Sequence, residues 1–390
     1  MSAIIIDRSS PIPQYFQLQT WLIEQIEQGV FKPNDRIPTE EELVQITGLA
    51  RATVRQAIQN LVNMGYLSRQ RRLGTFVISR TASTDKRTIV GILIPDIRTG
   101  YAPELARGAE DEAAKNKHSL ILCSTDDLYV QADFQADQLI ENSVNGVIFV
   151  PTAASDVKNR RIVEKFTRKN IPVVLADRTI PDLRVDYVTT DNFQGAYGLT
   201  EYLIRRGHRK IAIALSTLFS TERQRLEGYK KALSDHKIPL DPSLVFTNGG
   251  PYQEKEYLEY ARTLFRQDRK ATAVFAGHDR IAYLFYSVAQ EMAVSIPHDV
   301  SLVGYDDLPF THSHPVSLTT MHQPIYEMGQ ESMKRIIARI RGEKGEPHKI
   351  VLKSYLVERA SVLQSKNSVQ GIRRNSLKKR SSHENRNIMR

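Results

Sequence analysis

A single cysteine, Cys123, among 390 residues leaves no partner for an internal disulfide and excludes any metal site built on several cysteines. No apolar run approaches the roughly eighteen residues of a membrane-spanning helix. The opening "MSAIIIDRSSPIP" lacks the ordered charged, apolar and small-residue regions of a signal peptide. A cytoplasmic location with no membrane contact is therefore expected. Acidic residues are missing from one stretch in particular: between Arg51 and Arg80 there are six arginines and no Asp or Glu. The segment 79–87, "SRTASTDKR", has no large apolar side chain and reads as a linker. There is no G-x-x-x-x-G-K-[ST], no G-x-S-x-G and no lysine in a recognisable cofactor motif, so no enzyme and no cofactor are expected.

What is present is basic overall. The formal charge is +10, which favours a polyanionic partner. From Gln364 to Arg390, eight basic residues face Glu384 alone, eight minus one or +7; with few apolar residues, 364–390 reads as a disordered tail.

Residues 1–78 read as mostly helical, closing in a short hairpin. In "IPTEEELVQITG", Thr39 and Glu42 form a capping box, each side chain meeting an exposed backbone N–H at a helix start. Gly48 is placed to end that helix. A second helix begins near Arg51. Its apolar face is Val54, Ala57, Ile58, Leu61 and Val62, while Arg51, Arg55, Gln56 and Gln59 fall elsewhere. Two short helices joined by a tight turn describe a helix-turn-helix, whose second helix enters the DNA major groove by its amino-terminal end. Arg51, Thr53 and Arg55 occupy that end. Guanine offers two acceptors to arginine, adenine suits a glutamine amide, and phosphates accept from both. "GYLSRQRRLGTFVIS" then reads as two strands around a basic turn, a wing.

After Thr88 the texture changes. The runs "TIVGILIPD", "HSLILCST", "NGVIFVP", "IPVVLAD", "KIAIALS", "ATAVFAG" and "VSLVGYDD" alternate with segments of helical spacing. This predicts an α/β fold of parallel sheets in two lobes over 88–363, with a last helix around 325–341 and a strand at "KIVLKSYLV". Ligands of such folds bind outside the carboxyl ends of the strands. The candidates just after the runs are Asp96, Asp126, Asp177, Arg178, Asp191, His278, Asp279 and Asp306. Carboxylates and guanidinium groups can bracket vicinal hydroxyls, and Tyr101 can stack on a sugar ring. Asp191 and Asp279 read equally well as helix N-caps, and Asp307 as a turn residue. The "HSHP" at 312–315 lacks a third and fourth ligand for a metal site.

The motifs "PQYFQLQTWLIEQIEQGVFKPNDRIPTEEEL", "RATVRQAIQNLVNMGYL" and "GTFV" make the head resemble the GntR-family winged helix. The resemblance implies that Arg36, Thr39, Arg51, Thr53 and Arg55 meet phosphates or bases and that Gly74 and Thr75 sit in the wing. Where the family usually has glycine, this chain has Arg72, a side chain able to reach a minor groove or phosphate itself. The body resembles the LacI/GalR effector domain, with the fold of periplasmic sugar-binding proteins, through "VTTDNFQGAYGLTEYLIRRGHRKIAIA", "RLEGYKKAL", "AVFAGHDRIA", "SIPHDVSLVGYDD" and "LTTMHQPIYEMGQ". That resemblance implies ligand contacts from Arg225 and Asp306, a hinge-side Asp279, and Gln323 after a crossover strand. His278 replaces the family's usual asparagine. Together the resemblances imply a homodimeric repressor of carbohydrate-utilisation genes. It would bind double-stranded operator DNA and be released by a monosaccharide such as arabinose. An activator, a corepressor-dependent regulator binding a purine, and a sugar-modifying enzyme are the alternatives. The wedge residue of LacI-type hinge helices has no counterpart in 79–87.

Overall fold

A computed structural model describes residues 4, 6–8, 10–70, 73–78, 88–98, 100–216, 219–247, 253–266, 271–312 and 317–365. Arg72, the segment 79–87, His314 and the tail beyond Ser365 lie outside the described residues. The chain divides into two compact units, Met1–Lys86 and Arg87–Arg390.

The first unit holds α1 (Gln14–Glu27), α2 (Glu40–Thr47), α3 (Arg51–Asn63), β1 (Leu67–Gln70) and β2 (Gly74–Val77). The capping box of α2 is formed: the Thr39 hydroxyl accepts from Glu42 N at 3.2 Å and Glu42 Oε2 accepts from Thr39 N at 2.7 Å. Gly48 ends the helix at φ 65°, a left-handed conformation that glycine adopts without steric penalty. Helix α3 turns Val54, Ala57, Ile58 and Leu61 into a core with Leu18, Leu22, Leu43 and Leu67. The strands pair antiparallel with Leu67 opposite Val77 and Gln70 opposite Gly74, giving the expected wing.

The second unit runs β3 (Ile89–Ile94), α4 (Ala102–Lys115), β4 (Ser119–Ser124), α5 (Tyr129–Glu141), β5 (Gly146–Phe149), α6 (Asp156–Thr167), β6 (Val173–Ala176), β7 (Asp186–Thr190), α7 (Asn192–Arg205), β8 (Ile211–Leu215), α8 (Ser220–Asp235), β9 (Val245–Thr247), α9 (Glu254–Phe265), β10 (Ala273–Ala276), α10 (Asp279–Glu291), β11 (Ser301–Asp306), β12 (Thr319–His322), α11 (Ile325–Ile340), β13 (Lys349–Leu352) and β14 (Tyr355–Val357). Two six-stranded sheets result, in the orders β13-β7-β6-β5-β3-β4 and β14-β12-β11-β10-β8-β9. All pairings are parallel except β12 with β14. Each sheet has an apolar core on both faces, which is why its central strands are continuous apolar runs. In the first lobe α4 and α11 pack backbone to backbone: a Cβ on Gly108 would lie 2.0 Å from the Tyr326 carbonyl oxygen, and one on Gly329 2.1 Å from that of Leu105.

All seven apolar runs form strands. One expectation is corrected: "KIVLKSYLV" is two strands, not one. Its first half, β13, extends the first sheet, and after Lys353 and Ser354 its second half, β14, joins the other. The chain passes between lobes there, after Thr190 and after Gln323.

Candidate functional site

In the head, the amino-terminal end of α3 presents exposed Arg51 and Arg55 and half-buried Thr53. Ala50, the N-cap of α3, supplies no side-chain hydrogen bond to the first turn. An uncapped helix start is a ready anion site, since its N–H groups point outward with a partial positive charge. Sequence inspection missed the role of Glu40. Its carboxylate lies 3.8 Å from Arg51 Nε, 3.3 Å from Arg55 Nε and 2.8 Å from Arg69 Nη2, gathering recognition-helix and wing arginines together. The arginines of these pairs are exposed although Glu40 is half-buried, and such pairs are individually weak, so phosphates can displace them. Arg36 packs over the wing. Its Nε would be 2.8 Å from a Cβ on Gly74, whose φ of 126° also favours glycine. Thr75 pairs with Arg69 across the hairpin.

In the body, a cleft of about 420 Å³ opens between the lobes, where the carboxyl ends of the parallel strands converge. Asp96 follows β3, Asp126 and Asp127 follow β4, Asp177 and Arg178 follow β6, Ser216 follows β8, His278 follows β10, Asp306 ends β11 and Gln323 follows β12. Arg225, Glu222, Thr221 and Phe219 come from the start of α8, and Tyr101 from the start of α4. Of the effector-site expectations, the cleft gathers Asp96, Tyr101, Asp126, Arg178, Arg225, His278, Asp306 and Gln323.

Asp279 is the exception. It is fully buried away from the cleft, where its carboxylate accepts from Leu308 N at 2.8 Å and the Thr320 hydroxyl at 2.7 Å. The N-cap of α10 is His278, not Asp279, with the imidazole accepting from Ile281 N. Asp191 caps α7 through Gln194 N at 2.9 Å and is not among the cleft-lining residues. Asp307 pairs with Arg359 at 2.5 Å and His322 at 3.0 Å.

Hydrogen bonds and ion pairs position the two cleft arginines. Arg178 pairs with Asp127 at 2.5 Å, donates to the Pro151 carbonyl at 2.7 Å and lies 3.5 Å from the centre of the Phe219 ring. Arg225 donates to Asn192 at 2.8 Å and to the Gly277 carbonyl at 2.6 Å, and lies over the Tyr305 ring. Asp126, Asp127, Asp177 and Asp306 all have positive φ, 48°, 60°, 61° and 111°. Such strained conformations at non-glycine residues concentrate at ligand sites. Burial pushes Asp306 up to about 7 despite the nearby Arg225, and raises Asp177 and Glu222. Burial, then Arg225 and Arg280, bring His278 down to about 3, so it is neutral at ordinary pH. The Tyr101 hydroxyl is pushed well above 10, again chiefly by burial. Sequence inspection did not select Asp127, Glu222 or Phe219. The latter two sit at a helix start rather than a strand end, and no local pattern singled out the pairing of Asp127 with Arg178.

A winged-helix head and a two-lobed binding body define a ligand-responsive DNA-binding transcription regulator. A model of bacterial regulatory proteins of the gntR family matches residues 14–77, and one of a periplasmic binding protein-like domain matches residues 200–362. The arabinose metabolism transcriptional repressor of Geobacillus stearothermophilus is 31% identical over 339 residues, 85% of this chain and 93% of that protein. The catabolite control protein A of Priestia megaterium is 28% identical over 75% of this chain and 90% of its own. The structure of transcription regulator CcpA of Lactococcus lactis superposes with a TM-score of 0.66 at 26% identity, covering 71% of this chain and 100% of that one. A LacI family regulator from Enterococcus faecium with bound ribose gives 0.63 at 29% identity, covering 72% and 100%. The chain belongs to the transcription regulators that join a GntR-type DNA-binding domain to a LacI/GalR-type, periplasmic-binding-protein-like body, the family of that arabinose metabolism repressor.

Proposed function

We propose that this protein is a repressor of carbohydrate-utilisation genes, acting in the cytoplasm as a homodimer and released from its operator by a monosaccharide. No step of catalysis enters the reading. The observation that carries it is the cleft: planar carboxylates and guanidinium groups converge with Tyr101 and Phe219 at the junction of two lobes. Planar polar groups suit vicinal hydroxyls, and the aromatic faces suit the C–H surface of a sugar ring. The relatives support the sugar class, one by its name in arabinose metabolism and one by its bound ribose.

In this reading Arg51, Thr53 and Arg55 read base edges, and Arg36, Thr39, Gly74 and Thr75 meet the backbone. Arg72 is placed with the wing from the sequence alone. Ligand closes the cleft by drawing the lobes together about the three crossovers. In a pair of bodies this changes the spacing of two heads that must match half-sites set by the helical repeat. The test is a thermal-shift screen of pentoses, hexoses and purine bases on the intact chain. A true ligand at a hundredfold excess over its Kd stabilises by about 2.7 kcal/mol. No response to any sugar, with a clear response to purines, would contradict the sugar reading.

A further inference from the structure

The described residues before Pro13 stand ahead of the motifs that mark the winged helix, yet they are folded onto the head. The Gln17 side chain clasps their backbone. Its amide donates to the Asp7 carbonyl at 2.9 Å and the Ile12 carbonyl at 2.8 Å, and its oxygen accepts from Asp7 N at 3.0 Å. Ile4 and Ile6, half-buried, pack against the head core. Pro11 and Pro13 restrict the backbone on its way into α1. The arm so fixed brings Arg8 to the turn of the helix-turn-helix, where its Nη2 donates to the Gly48 carbonyl at 3.1 Å. Gly48 ends α2, and only Leu49 and Ala50 separate it from Arg51 at the start of α3.

We infer that Arg8 is a further DNA contact, binding a backbone phosphate beside the groove that α3 enters. Arg51, Arg55 and Arg69 are paired with Glu40 or Glu41, so a phosphate they bind displaces a carboxylate. Arg8 displaces none: among the described residues no carboxylate, neighbouring Asp7 included, forms an ion pair with it. Its side chain is exposed. A guanidinium carries five N–H donors in a planar fork, so one can hold the Gly48 carbonyl while others meet a phosphate oxygen. The arm is already pinned by Gln17, so little chain freedom is lost when DNA arrives. Phosphate contacts supply affinity and register and carry no base preference. Arg8 therefore seats the head on the duplex, while the start of α3 reads it.

The experiment is anisotropy titration of the intact protein, without effector, across a series of salt concentrations. The probes are a short labelled duplex selected by this protein from a random pool and a scrambled duplex of equal length. Each phosphate neutralised adds about −0.9 to the slope of log affinity against log salt. Arg8→Ala should make that slope shallower by about 0.9 and weaken binding roughly fivefold to tenfold at about 0.1 M salt, equally on both duplexes. Arg8→Lys keeps the charge and should recover most of the slope. Trp21, the chain's single tryptophan, lies in the head core, and its fluorescence through thermal unfolding reports whether each variant is folded. If Arg8 only braces the turn through Gly48, Arg8→Ala lowers the unfolding midpoint while the folded protein keeps the wild-type slope, and that result overturns the inference. Weakening confined to the selected duplex also overturns it, making Arg8 a reader of bases. No effector enters the titration, so failure of the sugar reading would leave this result standing.

Discussion

Asp306 Oδ1 accepts a hydrogen bond from the side-chain amide of Gln323 at 2.6 Å. The carbonyl of the same amide accepts from the Thr190 hydroxyl, and Asn192, two residues on, donates to the Thr190 carbonyl at 3.1 Å and accepts from Arg225. Cleft groups and two of the three lobe crossovers therefore share one buried polar chain. Replacing Gln323 by alanine should uncouple them. Read at saturating sugar, because Gln323 also lines the cleft, the expected outcome is a smaller effect of sugar on DNA binding, a coupling loss of about 0.5–2 kcal/mol. Sugar titration and operator titration on the same preparation would show it. An undiminished release factor would place the coupling elsewhere.

Asp306 also makes stability depend on pH. Its carboxyl holds its proton up to about 7 in the folded protein, whereas in the unfolded chain it ionises near 4. Between those values the folded state binds the extra proton, so this group's contribution falls as pH rises, by at most about 1.4 kcal/mol per unit. Above about 7 the loss is complete. Asp306→Asn should flatten that part of the profile and be more favourable relative to wild type at pH 8 than at pH 5. Urea unfolding at the two values checks this, and parallel profiles would contradict it.

Asp279 illustrates a structural role where a ligand contact was expected. Its carboxylate ties the start of α10 to the Leu308 and Thr320 backbone and side chain, and a Cβ on neighbouring Gly304 would come within 2.1 Å of Oδ1. Asp279→Ala should destabilise by about 1–3 kcal/mol through the buried donors left unmatched, with effector affinity of the folded fraction unchanged. A selective loss of sugar binding at unaltered stability would return Asp279 to the ligand.

For the head, Arg51→Ala should weaken operator binding by about 1–3 kcal/mol and relax preference at one base pair, as for an arginine that reads a base edge. Thr39→Ala should cost about 1 kcal/mol of head stability through the lost cap. Fluorescence anisotropy on specific and scrambled duplexes separates the two. Equal weakening on both duplexes in Arg51→Ala would make it a phosphate contact.

The sequence displayed whatever is encoded locally. The Thr39–Glu42 box, the apolar face of α3 and seven strand cores each lie within one short window, and strand ends pointed directly to Asp96, Asp126, Arg178, His278 and Asp306. What stayed hidden depends on distant partners. Glu40 meets Arg69 across 29 residues and Asp127 meets Arg178 across 51. Nothing in "KIVLKSYLV" announces that the chain changes sheets at Lys353, because both halves are ordinary strand sequence. Phe219 and Glu222 enter the cleft from a helix start, a position that strand-end reasoning passes over.

Titration of a labelled operator with the intact protein, without sugar and at saturating sugar, tests the central claim most directly. The account predicts specific binding that weakens about 5–150-fold when the cleft is filled, a coupling of roughly 1–3 kcal/mol. Saturation of the cleft, confirmed by calorimetry, with no change in operator affinity would contradict it.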